Sequence, residues 1–587
     1  MKKTLILPLI ALFALTGCTS SNTSTNTSYS SEDVGSDYDY NDPISVTDPS
    51  EVSVSEATSE FSIVTEDGEY SISGNIYKIT KAGTYSLTGK LDGQILIEAG
   101  EEDEVVLELN NVTINYGADS PIKATSCGKL EISAKKDTGN IVNDNRSAKV
   151  TDDTSKGEGA INAKCDLKLK GSGSLVVTGN YNNAVHSTKD LTVQKLTLKA
   201  IGYNNALKGK NSVTITSGEV QAYAKNGNGI KTDESDLTSS EKQKGTIAIN
   251  GGLVYVDSLH DAIDASYNVE ISQLDEEVAT EVSIKTGTYS SNYNRSTFKA
   301  DSEKGIKAAN EIIVNKGTIV ISASDDAVHA NYGDTLGTGA KGQGNITVNN
   351  GLIQVASGDD GLHADNTLNI NGGKVVITNA TEGFEGNYIN INGGYSYIYG
   401  SDDGVNCSKK SFSSCAFKMT GGYLDVAVKN GDTDGIDSNG NFTLSGGTII
   451  TRGSPGTQSG MSTGLDVDGT CSMTGGTLIA FNGLETKPTT SGTIYSAMTS
   501  NASQGGGGFG PGGGPGGREI ATTSSIQAGD FVLSGDGLEV SFTNDYVYGS
   551  FLVYSSSLKS GSTYTLARNN STLFTWTQQS SSTTISF

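Results

Sequence analysis

Apolar residues recur along most of the chain at a fixed place in a short pattern, seen most fully as Asp359-Asp360-Gly361-Leu362-His363-Ala364. With the apolar residue as index, its equivalents are Ile122, Ile161, Val185, Leu207, Ile230, Ile263, Ile306, Val328, Leu362, Phe384, Val405, Ile436 and Leu465. Successive index residues are often 21 to 24 positions apart, and further where an insertion intervenes. A period in this range predicts a solenoid, whose units cannot bury an apolar face alone and stack on their neighbours. The residue before the index is Ala or Gly in every copy but the first, where it is Pro121. That predicts a bend packed too closely for a larger side chain. Two positions after the index the residue is mostly small, with Cys407 in one copy. In an extended segment these two point inward and the residue between them points out. The outward column holds Lys123, Asn162, Lys208, Lys231, Asp264, Lys307, Glu385, Asn406, Asp437 and Asp466, and also His186, His329 and His363, three of the four histidines.

Asn250-Gly251-Gly252, Asn371-Gly372-Gly373, Asn392-Gly393-Gly394 and their Thr/Ser-Gly-Gly variants at 420, 445 and 474 mark a recurrent turn, where glycine supplies positive φ without steric cost. Each coil then offers about three short strands, as in a parallel β-helix with coils spaced ~4.8 Å. The leucine-rich-repeat signature is absent.

The rest of the chain divides around this region. Residues 1–18 read as a leader, with Lys2 and Lys3 before an apolar run from Leu5 to Leu15. Leu15-Thr16-Gly17-Cys18 matches a bacterial lipoprotein box, with Cys18 as the lipidated residue. Residues 19–50 are rich in Ser, Thr, Asn and Asp and are expected to form a disordered tether. Residues 51–115 predict an N-terminal β cap and the first coils, which cover an otherwise open sheet edge. The solenoid spans 116–485. A Gly/Pro-rich loop is expected over 486–517, with GGGGFGPGGGPGG at 505–517, and a C-terminal β segment over 518–587 carries the only tryptophan, Trp576. The expected protein is exported and held at a bacterial membrane surface, with a monomer favoured.

Glycine is abundant (74) and proline scarce (8) in the 587 residues, which fits turns and strands. The 41 basic and 66 acidic residues give a net charge of −25, which argues against nucleic acid as a partner. Besides Cys18 there are five cysteines. Cys407 and Cys415 are the closest pair in sequence, but buried thiols are the expected reading.

Stacking converts sequence columns into ladders. Two residues before the index stand Asn183, Asn205 and Asn228, expected to form an amide ladder, and then Asp261, Lys304, Asp326, Asp360, Glu382, Asp403 and Asp434. Carboxylates on successive coils repel at ~5 Å, so some must be protonated or neutralised. With the neighbours Asp325, Asp359, Asp402 and Asp432 they form an oxygen-rich run suited to Ca²⁺, against the plainer reading of turn residues that cap backbone N–H groups. His329 and His363 are expected to serve as structural groups or sugar hydrogen-bonders, a metal site or general base being the alternatives. Tyr395, Tyr397, Tyr399 and Tyr423, with Tyr255 and Phe481 on the same face, are expected to point outward as platforms for sugar rings or simply to fill strand surface.

The segment Ile79 to Gly89, followed by Asp92-Gly93-Gln94-Ile95 and Leu107 to Ile114, resembles the opening of a clostridial cell-surface carbohydrate-binding family with a polysaccharide-lyase-like β-helix. The Asp-Asp-Gly and Asn-Gly-Gly repeats, the Gly/Pro loop and the C-terminal segment resemble it too. The resemblance implies an all-β, right-handed parallel β-helix, Ca²⁺ on acidic coil turns, and binding of plant cell-wall polysaccharide such as cellulose or pectin. A non-catalytic binder is the expected function. The alternatives are a calcium-dependent pectate-lyase-like enzyme with Lys307 as base, and a structural or adhesive scaffold.

Overall fold

A computed structural model describes residues 44–287, 302–456, 462–502 and 525–586. The leader, Cys18, the first part of the tether and the run at 505–517 lie outside the described residues. Every regular element among the described residues is a strand.

All thirteen index residues stack in a single parallel ladder, from Ile122 on Ile161 through Val328 on Leu362 and Leu362 on Phe384 to Ile436 on Leu465. Ile95 extends it at one end. Insertions loop outward without shifting register: the hairpin of Tyr332–Thr335 and Lys341–Gln343 leaves Val328 over Leu362 and His329 over His363. A second ladder runs through Leu368, Ile389, Phe417 and Phe442, and a third through Val355, Ile377, Ile398 and Val426. Three parallel ladders per coil make the expected parallel β-helix. Leu362, Leu368 and Ile377, one from each ladder, are fully buried in its interior. Removing such side chains from water is the main driving force for each added coil.

The small residue before the index is required by the packing. A Cβ on Gly404 would lie 2.1 Å from Val426 Cγ1 and 2.8 Å from the Gly435 carbonyl oxygen. Gly404→Ala should therefore destabilise the chain by about 1–3 kcal/mol through overpacking, read as a lower denaturant midpoint. The second glycine of the Asn-Gly-Gly turns takes positive φ, 76° at Gly373 and 74° at Gly394, so these turns need glycine for conformation as well as space.

At the N-terminal end, Ser62–Val64 pairs antiparallel with Gly83–Asp92, and Tyr70–Ser73 with Ile76–Ile79. Residues 44–50, expected within the free tether, lie instead along the flank of the solenoid. Ile44 N–H donates to Thr378 Oγ1 (3.0 Å), Gln221 Nε2 to the Ser50 carbonyl (2.8 Å) and, further on, Ala57 N–H to Thr113 Oγ1 (2.9 Å). The polar flank offers partners to a segment too poor in apolar residues to fold alone. Within the expected loop 486–517, Tyr495–Thr499 forms a strand between Phe551–Ser555 and Ser582–Ile585. Phe551–Ser555 also pairs antiparallel with Thr477–Phe481, ending the third ladder. Gly529–Gly535, Leu538–Asn544, Thr563–Arg568 and Ser571–Thr577 form a separate antiparallel sheet. Cys127 and Cys165 form a disulfide between adjacent coils, while Cys407, Cys415 and Cys471 are buried thiols.

Candidate functional site

The column two residues before the index has one structural task in most of its described rungs. Each side-chain Oδ1 accepts the backbone N–H of the equivalent residue on the next coil. Asn183 accepts from Asn205 (3.2 Å), Asn205 from Asn228 (3.1 Å), Asp326 from Asp360 (3.0 Å), Asp360 from Glu382 (3.3 Å) and Asp403 from Asp434 (2.8 Å). The amide ladder is present as well, with Asn205 Nδ2 donating to Asn183 Oδ1 at 2.8 Å. Asn and Asp cap equally well with Oδ1. Where Asp replaces Asn, the second atom becomes a charged acceptor that needs its own partner.

Between residues 304 and 410 those partners are lysine and histidine side chains. Lys304 Nζ lies 2.9 Å from Asp325 and 2.6 Å from Asp326. His329 Nδ1 is 2.7 Å from Asp326 Oδ2, and His363 Nδ1 is 2.8 Å from Asp360 Oδ2 and 3.1 Å from Glu385 Oε2. Lys410 Nζ reaches Glu385 at 2.5 Å. The two imidazoles stack, 4.3 Å between centroids and 7° between planes. On their other edge Asp365 Oδ1 lies 3.4 Å from His329 Nε2 and 3.3 Å from His363 Nε2.

Charge separates these carboxylates. Burial would raise Asp326, but the Lys304 ammonium and the His329 imidazole hold it well below the usual carboxylate range. Asp365 is likewise held low against burial by the two imidazoles and the Tyr332 N–H. Asp360 goes the other way: burial, then Asp326 and Glu382, push it well above that range. Burial also pulls on His363, but Asp365, Asp326 and Glu385 outweigh it and raise its pKa.

Further along the column no ion pair to Lys or Arg joins Asp402, Asp403, Asp432, Asp434 or Asp437 among the described residues. Burial pushes Asp403 up to about 8 and Asp434 up to about 7. Burial and then Asp466 push Asp437 up to about 7.

The expected oxygen cluster is gathered only in part. One oxygen each from Asp359, Asp360 and Glu382, and one each from Asp325, Asp326 and Asp359, lie within 4.8 Å of one another. The second group already shares the Lys304 ammonium, so the first fits Ca²⁺ better: three hard donors, two of them crowded enough to raise Asp360. Asp402, Asp403, Asp432 and Asp434 join no such group, and Asp402 and Asp432 are exposed.

A model of the carbohydrate-binding domain-containing protein family matches residues 73–339 and 333–383, more than half of the chain. A carbohydrate-binding domain-containing protein of Acetivibrio thermocellus is 30% identical over 213 residues, spanning 36% of this chain and 72% of that one. The chain belongs to this family. A solved polysaccharide lyase-like protein from C. thermocellum, a gadolinium derivative, is 33% identical and covers 38% of this chain and 86% of its own, at a TM-score of 0.33.

In this carbohydrate-binding domain-containing protein the tyrosines expected as sugar platforms are not on the surface. Tyr395, Tyr397 and Tyr423 do point away from the solenoid interior, as the alternation predicts. The C-terminal module then covers them, joining them with Phe531, Phe542, Tyr548 and Trp576 in a second apolar core. Tyr423 is fully buried and its hydroxyl donates to the Ser541 carbonyl at 3.1 Å; Tyr399 packs against the same core. Tyr255 is covered by the N-terminal segment and hydrogen-bonds Asp48 Oδ1 at 2.9 Å. Alternation fixes which side a residue takes, but not what later chain lies over that side. His363 is buried and His329 nearly so, and both are engaged by carboxylates rather than forming an open polar strip. Lys307 Nζ lies 3.3 Å from Asp261 Oδ2.

Sequence reasoning passed over Asp365, Lys410 and an aromatic group beside them. Tyr332, 40% exposed, packs on Phe412 with centroids 4.6 Å apart, and Phe412 on Tyr388 at 6.0 Å. The Tyr332 N–H donates to Asp365 Oδ2 at 2.9 Å. Tyr332, Phe412 and Lys410 sit in the insertions that break the period, and those insertions were the available signal.

Proposed function

We propose that the chain is a non-catalytic polysaccharide binder, exported and held at a bacterial surface by lipid on Cys18, with Ca²⁺ supporting the acidic column. Plant cell-wall polysaccharide, cellulose or pectin, is the target class. The observation that carries the reading is the exposed aromatic surface of Tyr332 on Phe412, adjoining Asp365 and the acidic column. An aromatic face with a polar tip stacks on sugar rings. Carboxylate oxygens with bound Ca²⁺ could bridge to uronates that a chain of net charge −25 would otherwise repel. Asp359, Asp360 and Glu382 would hold the ion.

The test is retention on insoluble cellulose and on pectin, with Ca²⁺ and with chelator. Retention on at least one glycan is expected, weakened about tenfold by Tyr332→Ala, which removes a stacking contact of about 0.5–1.5 kcal/mol and its area. Retention on neither glycan would overturn the reading. Incubation with polygalacturonate and Ca²⁺ addresses the lyase alternative, because unsaturated product would reassign the acidic column to catalysis.

A further inference from the structure

We propose that a cleft between the solenoid flank and residues 47–50 binds one ring of a neutral polysaccharide. This second site rests on the reading of the chain as a glycan binder, but it shares no residue with Tyr332, Phe412 or the acidic column. The cleft encloses about 270 Å³, and Pro49, Glu219, Gln221, Leu253, Tyr255 and Glu281 are among its lining. Glu219, Leu253 and Glu281 stack on three successive coils. Their strand neighbours Val220, Val254 and Val282 are buried in the solenoid, so by alternation this column faces outward. Leu253 is 46% exposed, with a carboxylate on the coil to either side of it.

Both walls are held in place. The buried Gln221 amide donates to the Ser50 carbonyl at 2.8 Å and to Glu219 Oε1 at 2.7 Å, which orients that carboxylate. The Tyr255 hydroxyl and the Lys285 ammonium both donate to Asp48 Oδ1, at 2.9 and 2.5 Å. The cations on this face are thereby taken, Lys285 by Asp48 and Lys199 by Glu51, and no ion pair joins Glu219 or Glu281 among the described residues. Two coils apart, these carboxylates stand about 9–10 Å from one another along the rod, and they join no gathered group of metal-ligand oxygens among the described residues. What the cleft offers is an apolar patch between two acceptors that lack donors. A neutral sugar ring matches it, with C–H faces for Leu253 and Pro49 and a rim of hydroxyl donors for carboxylates that can only accept. The volume lies below the ~300–1,000 Å³ of sites for drug-sized ligands, which suits a single ring. A uronate would bring a third carboxylate beside two unpaired ones and is selected against.

The test titrates cellotetraose, xylotetraose and trigalacturonate into the whole chain by calorimetry, with Ca²⁺ and with chelator. Expected is binding of at least one neutral tetraose in both conditions, and no binding of trigalacturonate with chelator. Because residues 47–50 close the cleft, the bound tetraose should also slow hydrogen exchange across residues 44–57. Leu253→Ser, and Glu219→Gln combined with Glu281→Gln, change outward positions of the flank and should each weaken binding about tenfold. Tyr332→Ala should leave it unchanged. Binding of neither tetraose would overturn the proposal, as would binding that both flank variants retain in full, or binding that Tyr332→Ala abolishes. Failure here leaves retention on insoluble cellulose or pectin standing as the measure of the Tyr332 surface, and loss of that retention in Tyr332→Ala leaves the tetraose titration standing.

Discussion

Arg452→Met should lower stability by about 3–5 kcal/mol, the cost of leaving a buried charge without its partner, and should loosen the C-terminal module from the solenoid. The Arg452 and Asp425 side chains are 1% and 2% exposed and form an ion pair. The same guanidinium donates to Asn544 Oδ1, to the Thr543 carbonyl (2.8 Å) and to the Val426 carbonyl (3.1 Å). Asn544 and Thr543 belong to the C-terminal sheet, and Asp425 and Val426 to the solenoid. One side chain therefore joins the two bodies at the centre of the apolar contact around Tyr423, Phe481 and Phe542. Burial already pushes the Asp425 carboxyl up, with Arg452 opposing it, and without the guanidinium the acid would have to protonate or draw in water. Trp576 is buried in the C-terminal module, so its fluorescence reports that module, and circular dichroism follows the strands of the whole chain. The tryptophan transition should move to lower denaturant more than the dichroism does. Asp425→Asn combined with Arg452→Met should recover part of the loss, since the uncompensated charge is then gone. An unmoved tryptophan transition in Arg452→Met would show that apolar contact alone holds the module.

The contrast between that clamp and the index ladder shows what a sequence makes legible. Leu362 and its equivalents could be placed because a period of stacked coils repeats the same local environment, and repetition is visible in one dimension. The Asp326 to Asp434 column followed from the same register. Cys127 and Cys165 were within reach too: Ile122 stacks on Ile161, which brings the turns just after them together, with Cα atoms 5.9 Å apart. Residues whose partners lie outside the repeat were not legible. Arg452 meets Thr543 and Asn544, Tyr255 meets Asp48, and Glu385 meets Lys410 from an insertion. None of these pairings has a period. The outward tyrosines were read with the correct side and the wrong surroundings for that reason.

Without divalent ions, stability should fall as pH rises from about 4 to about 8, the reverse of what paired carboxylates give. Asp403, Asp434 and Asp437 carry the effect, with folded pKa values pushed up to about 8, 7 and 7. A carboxyl whose pKa is raised by folding contributes its full stability below the unfolded value, near 4, and loses it as pH rises through the folded value. One unit corresponds to about 1.4 kcal/mol, so three such groups can remove several kcal/mol by pH 8. His363, raised by its carboxylates, adds to the same trend above pH ~6.5. Asp326, Asp365 and Glu385, held low, work in the other direction and lose their contribution only as pH falls below about 4. The chelated protein should therefore be most stable in mildly acidic buffer. Ca²⁺ should raise its melting temperature more at pH 8 than at pH 5, because at Asp359, Asp360 and Glu382 the ion replaces the proton that the raised Asp360 carboxyl loses. Asp403→Asn separates charge from geometry: the amide oxygen can still cap the Asp434 N–H, as Asn183 caps Asn205 upstream. Asp403→Asn with Asp434→Asn should flatten the decline between pH 5 and 8 while leaving the pH 5 value nearly unchanged. If the double substitution keeps the original slope, the charge on Asp403 and Asp434 does not govern stability.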